Sequence, residues 1–330
     1  MNIKIKNNSN TLVSIIITIL FICFCIAIYY AKTKQYSVDA FENKADYYFY
    51  GENYVDSIKY YKKLLNIGKY SNKIYLNLAI SLIRLGDYEP AIKYLNILLK
   101  IRKDIPETYY LLAYANYYKH NKDNINKDNV KHIISYLEKS IELNEKYKLA
   151  YSLIGKIYEQ IGQYEYARTW YRKALFSGIE NSEEFYGFIA HTYFKESKFD
   201  NAIKYYKKAI EKNKNYISAY CSIADIYAIQ KEYYISESIY KEVIEKDKDY
   251  ILPYYKIGDL YYLQGNYNDA IEWYKKALNI NKDNGQVNYY LGMSYKKLNN
   301  LQEALKYLKN AVYCGNDDAI KELRSMQETV

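Results

Sequence analysis

The stretch Ile251–Asn284 determines the fold that we expect for this chain. It reads ILPYYKIGDLYYLQGNYNDAIEWYKKALNINKDN, two short amphipathic segments joined at a glycine. With Ile251 counted as position 1, the same pattern returns with a period of 34 residues. Positions 4, 7, 8 and 11 recur at helical spacing, which predicts one packed face of a helix. Position 8 is small in every unit: Ala45, Ala79, Ala113, Gly155, Ala190, Ala224, Gly258 and Gly292.

This pattern resembles the tetratricopeptide repeat, which has a period of about 34 residues and carries L-G-x-x-Y followed by a later alanine and a later aromatic residue. Departures from the family pattern are local. Lys44 stands where a leucine or isoleucine is usual, and the third unit carries an insertion. The best matching residues are Ile257-Gly258, Tyr261, Ala270, Tyr274 and Ala277, and then Leu291-Gly292, Tyr295, Ala304 and Ala311.

The resemblance implies an all-α fold. In that fold about eight helix-turn-helix repeats form a right-handed alpha-alpha superhelix, the TPR solenoid, which ends in a capping helix because each repeat needs a neighbour to cover its apolar face. We place the capping helix at residues 319–330. The repeats are 38–71, 72–105, 106–147, 148–182, 183–216, 217–250, 251–284 and 285–318.

Composition limits the classes of partner. The formal charge is +9, from 47 Lys and Arg against 38 Asp and Glu, and four of the lysines flank an apolar N-terminal stretch. The remaining surplus is spread over the repeats rather than clustered, so we expect no nucleic-acid partner. Cys221 and Cys314 belong to repeats that are not adjacent, and the other two cysteines lie in the apolar stretch, so no disulfide framework is expected.

The N-terminal stretch Leu12–Tyr30 contains no charged residue over nineteen positions. A helix of that length spans roughly 28 Å, close to the bilayer core of about 30 Å. The stretch therefore predicts a transmembrane helix at 12–30, between a polar tail (1–11) and a linker (31–37). A buried core helix is disfavoured because no polar face is present. A cleaved signal peptide, which would leave a soluble module, is disfavoured because bulky residues occupy the cleavage region.

The charges that flank the apolar stretch bear on its orientation in the membrane. The basic residues on the two sides of the apolar stretch nearly balance, with a slight preference for repeats on the extracytoplasmic side of the membrane.

The extra residues of the third repeat fall in the polar run Lys119–Asn129, which predicts a loop. The loop is either a contact site at one edge of the array or sequence drift, since loops tolerate insertion cheaply.

No pattern predicts catalysis. The chain has no Gly-rich phosphate loop, no H-E-x-x-H and no C-x-x-C pair, and His120, His132 and His191 are scattered. A lone helical histidine is more often a surface or packed residue than a ligand. We therefore expect a protein that is not an enzyme and has no cofactor and no metal site.

Binding has a geometric basis. Positions 2, 5, 9 and 12 of each first helix lie on a different face from the packed positions. The resemblance implies that this face lines a concave groove that receives a partner peptide. Leu, Ile and Tyr recur there, which predicts a protein or peptide partner of apolar or aromatic character, unless tight packing shelters these side chains. The candidate residues are Leu76, Ile80, Tyr110, Tyr114, Tyr117, Lys156, His191, Tyr255 and Tyr262.

The sequence thus predicts a membrane-anchored, non-catalytic TPR scaffold that mediates protein–protein interaction. One alternative is a structural tether that self-associates or belongs to a membrane or envelope assembly. Another is an accessory subunit of a membrane-bound enzyme complex, which no residue supports directly.

Overall fold

The computed structural model describes residues 6–119 and 127–328, and within these ranges the only regular elements are 17 α-helices. After a long first helix they alternate as the first and second helices of successive hairpins. Their bounds are α1 Lys6–Tyr50, α2 Tyr54–Asn66, α3 Asn72–Arg84, α4 Tyr88–Ile101, α5 Pro106–Lys119, α6 Lys127–Leu143, α7 Lys148–Gln160, α8 Tyr164–Phe176, α9 Glu183–Lys195, α10 Phe199–Lys212, α11 Ile217–Ile229, α12 Tyr233–Lys246, α13 Ile251–Leu263, α14 Tyr267–Ile280, α15 Gly285–Lys297, α16 Leu301–Tyr313 and α17 Asp317–Glu328.

The chain divides into two compact units, residues 1–154 and residues 155–330. In the first unit the described helices pack on their neighbours in chain order, and α3 also contacts α5. Tyr61, Leu78 and Leu95 are fully buried in its core. Burial of these apolar faces against the next helix is the main stabilising term, because a single hairpin cannot cover its own apolar side.

The second unit repeats the same construction with a tyrosine in the central position. Tyr240 and Tyr274 occupy position 24 of successive repeats and are almost fully buried among alanines and aliphatic side chains. The small residue at position 8 makes room for the ring. A Cβ added to Gly258 would lie 2.6 Å from Cε1 of Tyr274, and one added to Gly155 would lie 2.1 Å from Cε1 of Tyr171. The glycines therefore permit a closer approach of the two helices than alanine would.

In each hairpin turn that the structure describes, one residue lies in the left-handed region of backbone conformation. This residue is position 15 of the repeat, and in three repeats it is a glycine, with φ of +82° at Gly86, +73° at Gly162 and +79° at Gly265. In the first repeat the positive φ belongs to Glu52 and not to the neighbouring Gly51. Glycine adopts this conformation without the steric cost that a side chain brings, so the other repeats tolerate strain at this turn.

The N-terminal region differs from the expectation in one respect. Residues 31–37, expected as a linker, lie inside α1, which runs without a break into the first repeat. Helical hydrogen bonding continues because this segment contains neither proline nor glycine to stop it. In the part of the chain that the structure describes, no helix is long and apolar enough to cross a membrane. The predicted transmembrane helix at 12–30 falls partly on side chains outside that description.

The two remaining expectations concern the third repeat and the C-terminus. Of the predicted loop at Lys119–Asn129, residues 120–126 lie outside the described residues, and Lys127–Asn129 form the first turn of α6. The last helix, α17, begins at Asp317, slightly before the predicted capping helix at 319–330. Asn316 Oδ1 accepts a hydrogen bond from the backbone N–H of Ala319 at 3.0 Å, which caps the start of α17.

Candidate protein-interaction face

In the first unit the predicted aliphatic residues lie at the edge of the core. Leu76 and Ile80 are half-buried on α3 and pack against the buried cluster that includes Leu78 and Leu112. Part of each side chain remains open to solvent. They therefore combine a packing role with an accessible apolar surface.

The three predicted tyrosines of α5 do not form one exposed row. Tyr110 and Tyr114 are half-buried, with ring centroids 6.0 Å apart, and burial raises the pKa of the Tyr110 hydroxyl to about 12. Tyr117 is only 1% exposed. The expectation that Tyr117 faces a groove is therefore not met, because the side chain at this position turns into the core and packs edge-on against Tyr118 at 4.9 Å. The surface of α5 is narrower than the sequence suggested.

In the second unit His191 belongs to a hydrogen-bonded chain. Its Nδ1 lies 3.0 Å from Oε2 of Glu159, while Oε1 of Glu159 accepts a hydrogen bond from the Tyr171 hydroxyl at 2.6 Å. The imidazole also lies against the ring of Phe194, with centroids 6.5 Å apart. His191 is half-buried, and Lys156, on the preceding first helix, is exposed. This arrangement offers a partner a ring face and a carboxylate.

Tyr255 and Tyr262 lie on α13 and are both half-buried. The ring of Tyr262 packs between Tyr267 and Tyr290, at centroid distances of 5.4 and 5.8 Å. Burial raises the pKa of both hydroxyls above the ordinary value. These side chains are neutral at physiological pH and contribute aromatic surface.

A regular tyrosine–carboxylate pair is the feature that sequence analysis missed. The hydroxyl of a position-24 tyrosine donates to the carboxylate at position 9 of the same repeat, fifteen residues earlier. The distances are 2.7 Å from Tyr61 to Asp46, 2.7 Å from Tyr240 to Asp225 and 2.8 Å from Tyr274 to Asp259. The signal was present as an acidic residue at position 9 wherever position 24 is tyrosine, with His191 and Lys156 as the exceptions.

The pairs differ in how many carboxylate oxygens are used. Asp46 uses both oxygens, because Oδ1 accepts from Tyr61 and Oδ2 lies 2.5 Å from Nζ of Lys73. At Asp225 both donors reach the same oxygen: the Tyr240 hydroxyl and, at 3.0 Å, Lys256 Nζ both bond to Oδ1. Among the described residues, none donates a hydrogen bond to Oδ2 of Asp225.

Asp259 is the most perturbed carboxyl group on this face. Burial raises its pKa from 3.8 to about 6, and the nearby charge of Asp225 acts in the same direction. The Tyr274 hydroxyl and the Lys256 ammonium oppose the shift. Its only hydrogen bond within the described chain reaches Oδ1, from Tyr274. The protein therefore keeps a partly desolvated carboxylate that is incompletely paired.

These groups open onto a cavity of about 390 Å³ in the second unit. The charged part of its wall is Asp225, Lys256 and Asp259. Phe194 and Leu263 belong to its apolar part, and Leu263 is 65% exposed. In the described chain, no group of three or more His, Cys, Asp or Glu side chains has a metal-binding arrangement.

Comparison with protein-family models gives four matches, all to tetratricopeptide repeats. A model described as TPR repeat matches residues 258–299. Models described as tetratricopeptide repeat match residues 184–216, residues 73–105 and 149–175, and residues 286–313. No protein of curated function matches the sequence significantly.

Solved structures share the fold at low sequence identity. An IFIT1 monomeric mutant with Gppp-AAAA is 16% identical, aligned over 87% of this chain and 71% of that chain, with a TM-score of 0.51. The human IFIT1 dimer with PPP-AAAA is 17% identical over 89% and 76% of the two chains, with a TM-score of 0.50. The APC/C hetero-tetramer Cut9-Hcn1 is 16% identical, with a TM-score of 0.48, and this chain spans only 55% of that chain. The two IFIT1 similarities, with TM-scores of 0.51 and 0.50, concern the fold alone.

Proposed function

Because the chain is a tetratricopeptide-repeat protein, we propose that it is a non-catalytic scaffold that binds a segment of another protein along the faces of its first helices. Repeats of this family are typically interaction modules without catalytic activity, and stacked hairpins present extended binding surfaces. The observation that carries the proposal is that each unit has half-buried apolar side chains on its first helices, Leu76 and Ile80 in the first unit and Tyr255 and Tyr262 in the second. Such surfaces lose little side-chain entropy on binding and bury large apolar areas.

The test is a selection of peptides from a random displayed library against the full-length chain in a mild non-ionic detergent. Substitution of His191→Ala together with Tyr255→Ala should weaken binding of the selected peptides by at least about tenfold, because a combined loss of about 1.4 kcal/mol from two central contacts corresponds to that factor. Tyr234→Ala is the matched control, since Tyr234 is 85% exposed on α12, a second helix. Equal loss in both variants, or no loss in either, would contradict the assignment of this face.

We propose further that the N-terminal segment attaches the repeats to a membrane. The support comes from the sequence, in which residues 12–30 carry no charge, and from the side chains of Ile17, Leu20, Phe21 and Phe24, each more than half exposed on α1. Exposed apolar surface of this extent marks a membrane or protein contact. With the repeats on the extracytoplasmic side, added protease should cleave them in intact cells. Protection in intact cells with cleavage after lysis would place the repeats in the cytoplasm.

Self-association as a tether is the competing role. Sedimentation of the full-length chain in detergent separates the two, because a monomer at all concentrations is incompatible with a self-stacking array. A binding scaffold has no such requirement.

A further inference from the structure

We propose that the cavity between α11 and α13 receives an arginine side chain of the partner, with aliphatic residues beside it in the partner's sequence. This inference rests on the proposed function, since it specifies what the first-helix face recognises. The sequence predicts a partner of apolar or aromatic character, and the cavity specifies that its bound segment is apolar with one arginine.

The cavity has the size and composition of a side-chain site. Its volume is about 390 Å³, at the lower end of the range of roughly 300–1,000 Å³ found for ligand pockets. Phe194 contributes a ring, while Ile229 and Leu263 are 53% and 65% exposed at its rim. An aliphatic chain can pack on these side chains while its polar end reaches the carboxylates.

Charge complementarity selects a cation. Asp225 and Asp259 provide two negative charges and Lys256 one positive charge, so the ionised wall carries a net charge of −1. Lys256 Nζ donates a hydrogen bond to Asp225 Oδ1 at 3.0 Å. Among the described residues it makes no hydrogen bond to Asp259. One oxygen of each carboxylate is left without a donor from the described residues. A cationic donor satisfies both the charge and these acceptors.

Arginine fits this wall better than lysine. The guanidinium group presents five N–H donors in a planar fork and can bond to two carboxylates at once, whereas an ammonium acts as a compact point charge. Its flat face also stacks on aromatic rings, and Phe194 supplies one at the cavity. The structure contains a precedent for the packing: the guanidinium of Arg168 lies 4.3 Å from the ring centroid of Tyr193.

The comparable carboxylate of the first unit shows what a closed pair looks like. Both oxygens of Asp46 have donors, from Tyr61 and Lys73. Asp225 and Asp259 occupy the same repeat position as Asp46, and each also accepts a hydrogen bond from a tyrosine. Unlike Asp46, each has one oxygen with no donor among the described residues. Asp46 therefore provides a control carboxylate in which each oxygen already has a donor from the chain.

The test measures binding of two synthetic peptides to the full-length chain in detergent. One has a central arginine flanked by two leucines on each side, and the other has citrulline, the neutral isostere of arginine, in its place. We expect the arginine peptide to bind at least about tenfold more tightly, because a charge-assisted, two-acceptor contact is lost with citrulline. In Asp225→Asn/Asp259→Asn the preference should fall below about threefold. In Asp46→Asn it should remain at the wild-type ratio.

The outcomes separate the two claims. If both peptides bind equally, or if the preference for arginine survives the double substitution, the cavity assignment is wrong while peptide binding stands. If neither peptide binds and the library selection against the first-helix face also fails, the proposed function falls with it. Unfolding curves of each variant establish that a lost preference reflects binding and not a loss of fold.

The same assignment gives binding a definite pH dependence. The pKa of Asp259 is about 6, so protonation below that value removes one of the two charges and should weaken the arginine peptide between pH 7.5 and pH 5. The citrulline peptide should change little over this range. The groups that interact electrostatically with Asp259 are Lys256 and Tyr255 on its own helix, Asp225 on α11, Tyr240 on α12, Tyr274 on α14 and Tyr290 on α15. All four tyrosines have pKa values raised above their ordinary value and stay neutral.

Discussion

Tyr274→Ala should lower the free energy of unfolding by about 3–5 kcal/mol, the usual range for removing a fully buried aromatic ring. Tyr274 is completely buried, stacks on Tyr290 with centroids 6.2 Å apart and fills the space above Gly258. Removal leaves a cavity that the two helices cannot close, and it leaves Asp259 without its hydrogen-bond donor. Urea unfolding followed by circular dichroism measures the loss.

Two companion variants separate packing from polarity. Tyr274→Phe keeps the ring and deletes only the hydroxyl, so it should cost about 1 kcal/mol. Tyr313→Ala removes a tyrosine that is 90% exposed and should change stability by less than about 0.5 kcal/mol. A loss in Tyr274→Ala no larger than that in Tyr313→Ala would show that the position-24 rings do not hold the hairpins together.

Asp259→Asn should raise the free energy of unfolding at pH 7.5 by about 1–3 kcal/mol. Burial raises the pKa of this carboxyl from 3.8 to about 6, which means that the folded protein destabilises the ionised form. Asparagine keeps an oxygen that accepts from Tyr274 and carries no charge. A gain in stability on deleting a charged group is typical of residues retained for function.

Proton linkage determines how the stability change in Asp259→Asn depends on pH. The pKa of the folded state lies above that of the unfolded state, so the folded chain binds the proton more tightly between pH 3.8 and about 6. The destabilising contribution of Asp259 is therefore complete above pH 6 and disappears as the pH falls towards 4. The difference in stability between the variant and the wild type should be largest at pH 7.5 and small at pH 4. A variant that is less stable than the wild type at pH 7.5 would contradict the raised pKa.

Much of the fold was predictable because each repeat places the same kinds of residue at the same packing positions. The small residue at position 8, the helical spacing of the apolar residues and the turn glycines such as Gly265 all follow from local sterics. Residues 31–37 were harder to assign. Their polarity favoured a link, but nothing in them stops a helix that starts upstream and ends at Tyr50.

The site was less predictable because side-chain direction depends on neighbouring repeats. Tyr110, Tyr114 and Tyr117 look equivalent on a helical projection, yet only Tyr117 turns fully into the core. The pairing of Asp225 with Lys256 joins residues thirty-one positions apart. Helical periodicity within one repeat does not specify that contact.

A buried arginine provides a second example. Arg168 is 2% exposed and bonds to Glu165 and Glu196. Both glutamates have pKa values below the ordinary range, through hydrogen bonding to the guanidinium at Glu165 and, at Glu196, through the same interaction outweighing burial. On sequence alone Arg168 looks like one more basic residue on a helix surface. Its burial depends on Glu196, which belongs to the next repeat.

The most direct test of the central claim, that a partner segment binds on the first helices, is photocrosslinking. The arginine peptide would carry a benzophenone group next to its arginine, and mass spectrometry would locate the attachment points on the full-length chain. We predict crosslinks to residues 217–229 and 251–263, which form α11 and α13, with competition by unlabelled peptide. Crosslinks confined to the second helices α12 and α14, or unaffected by competing peptide, would contradict the account.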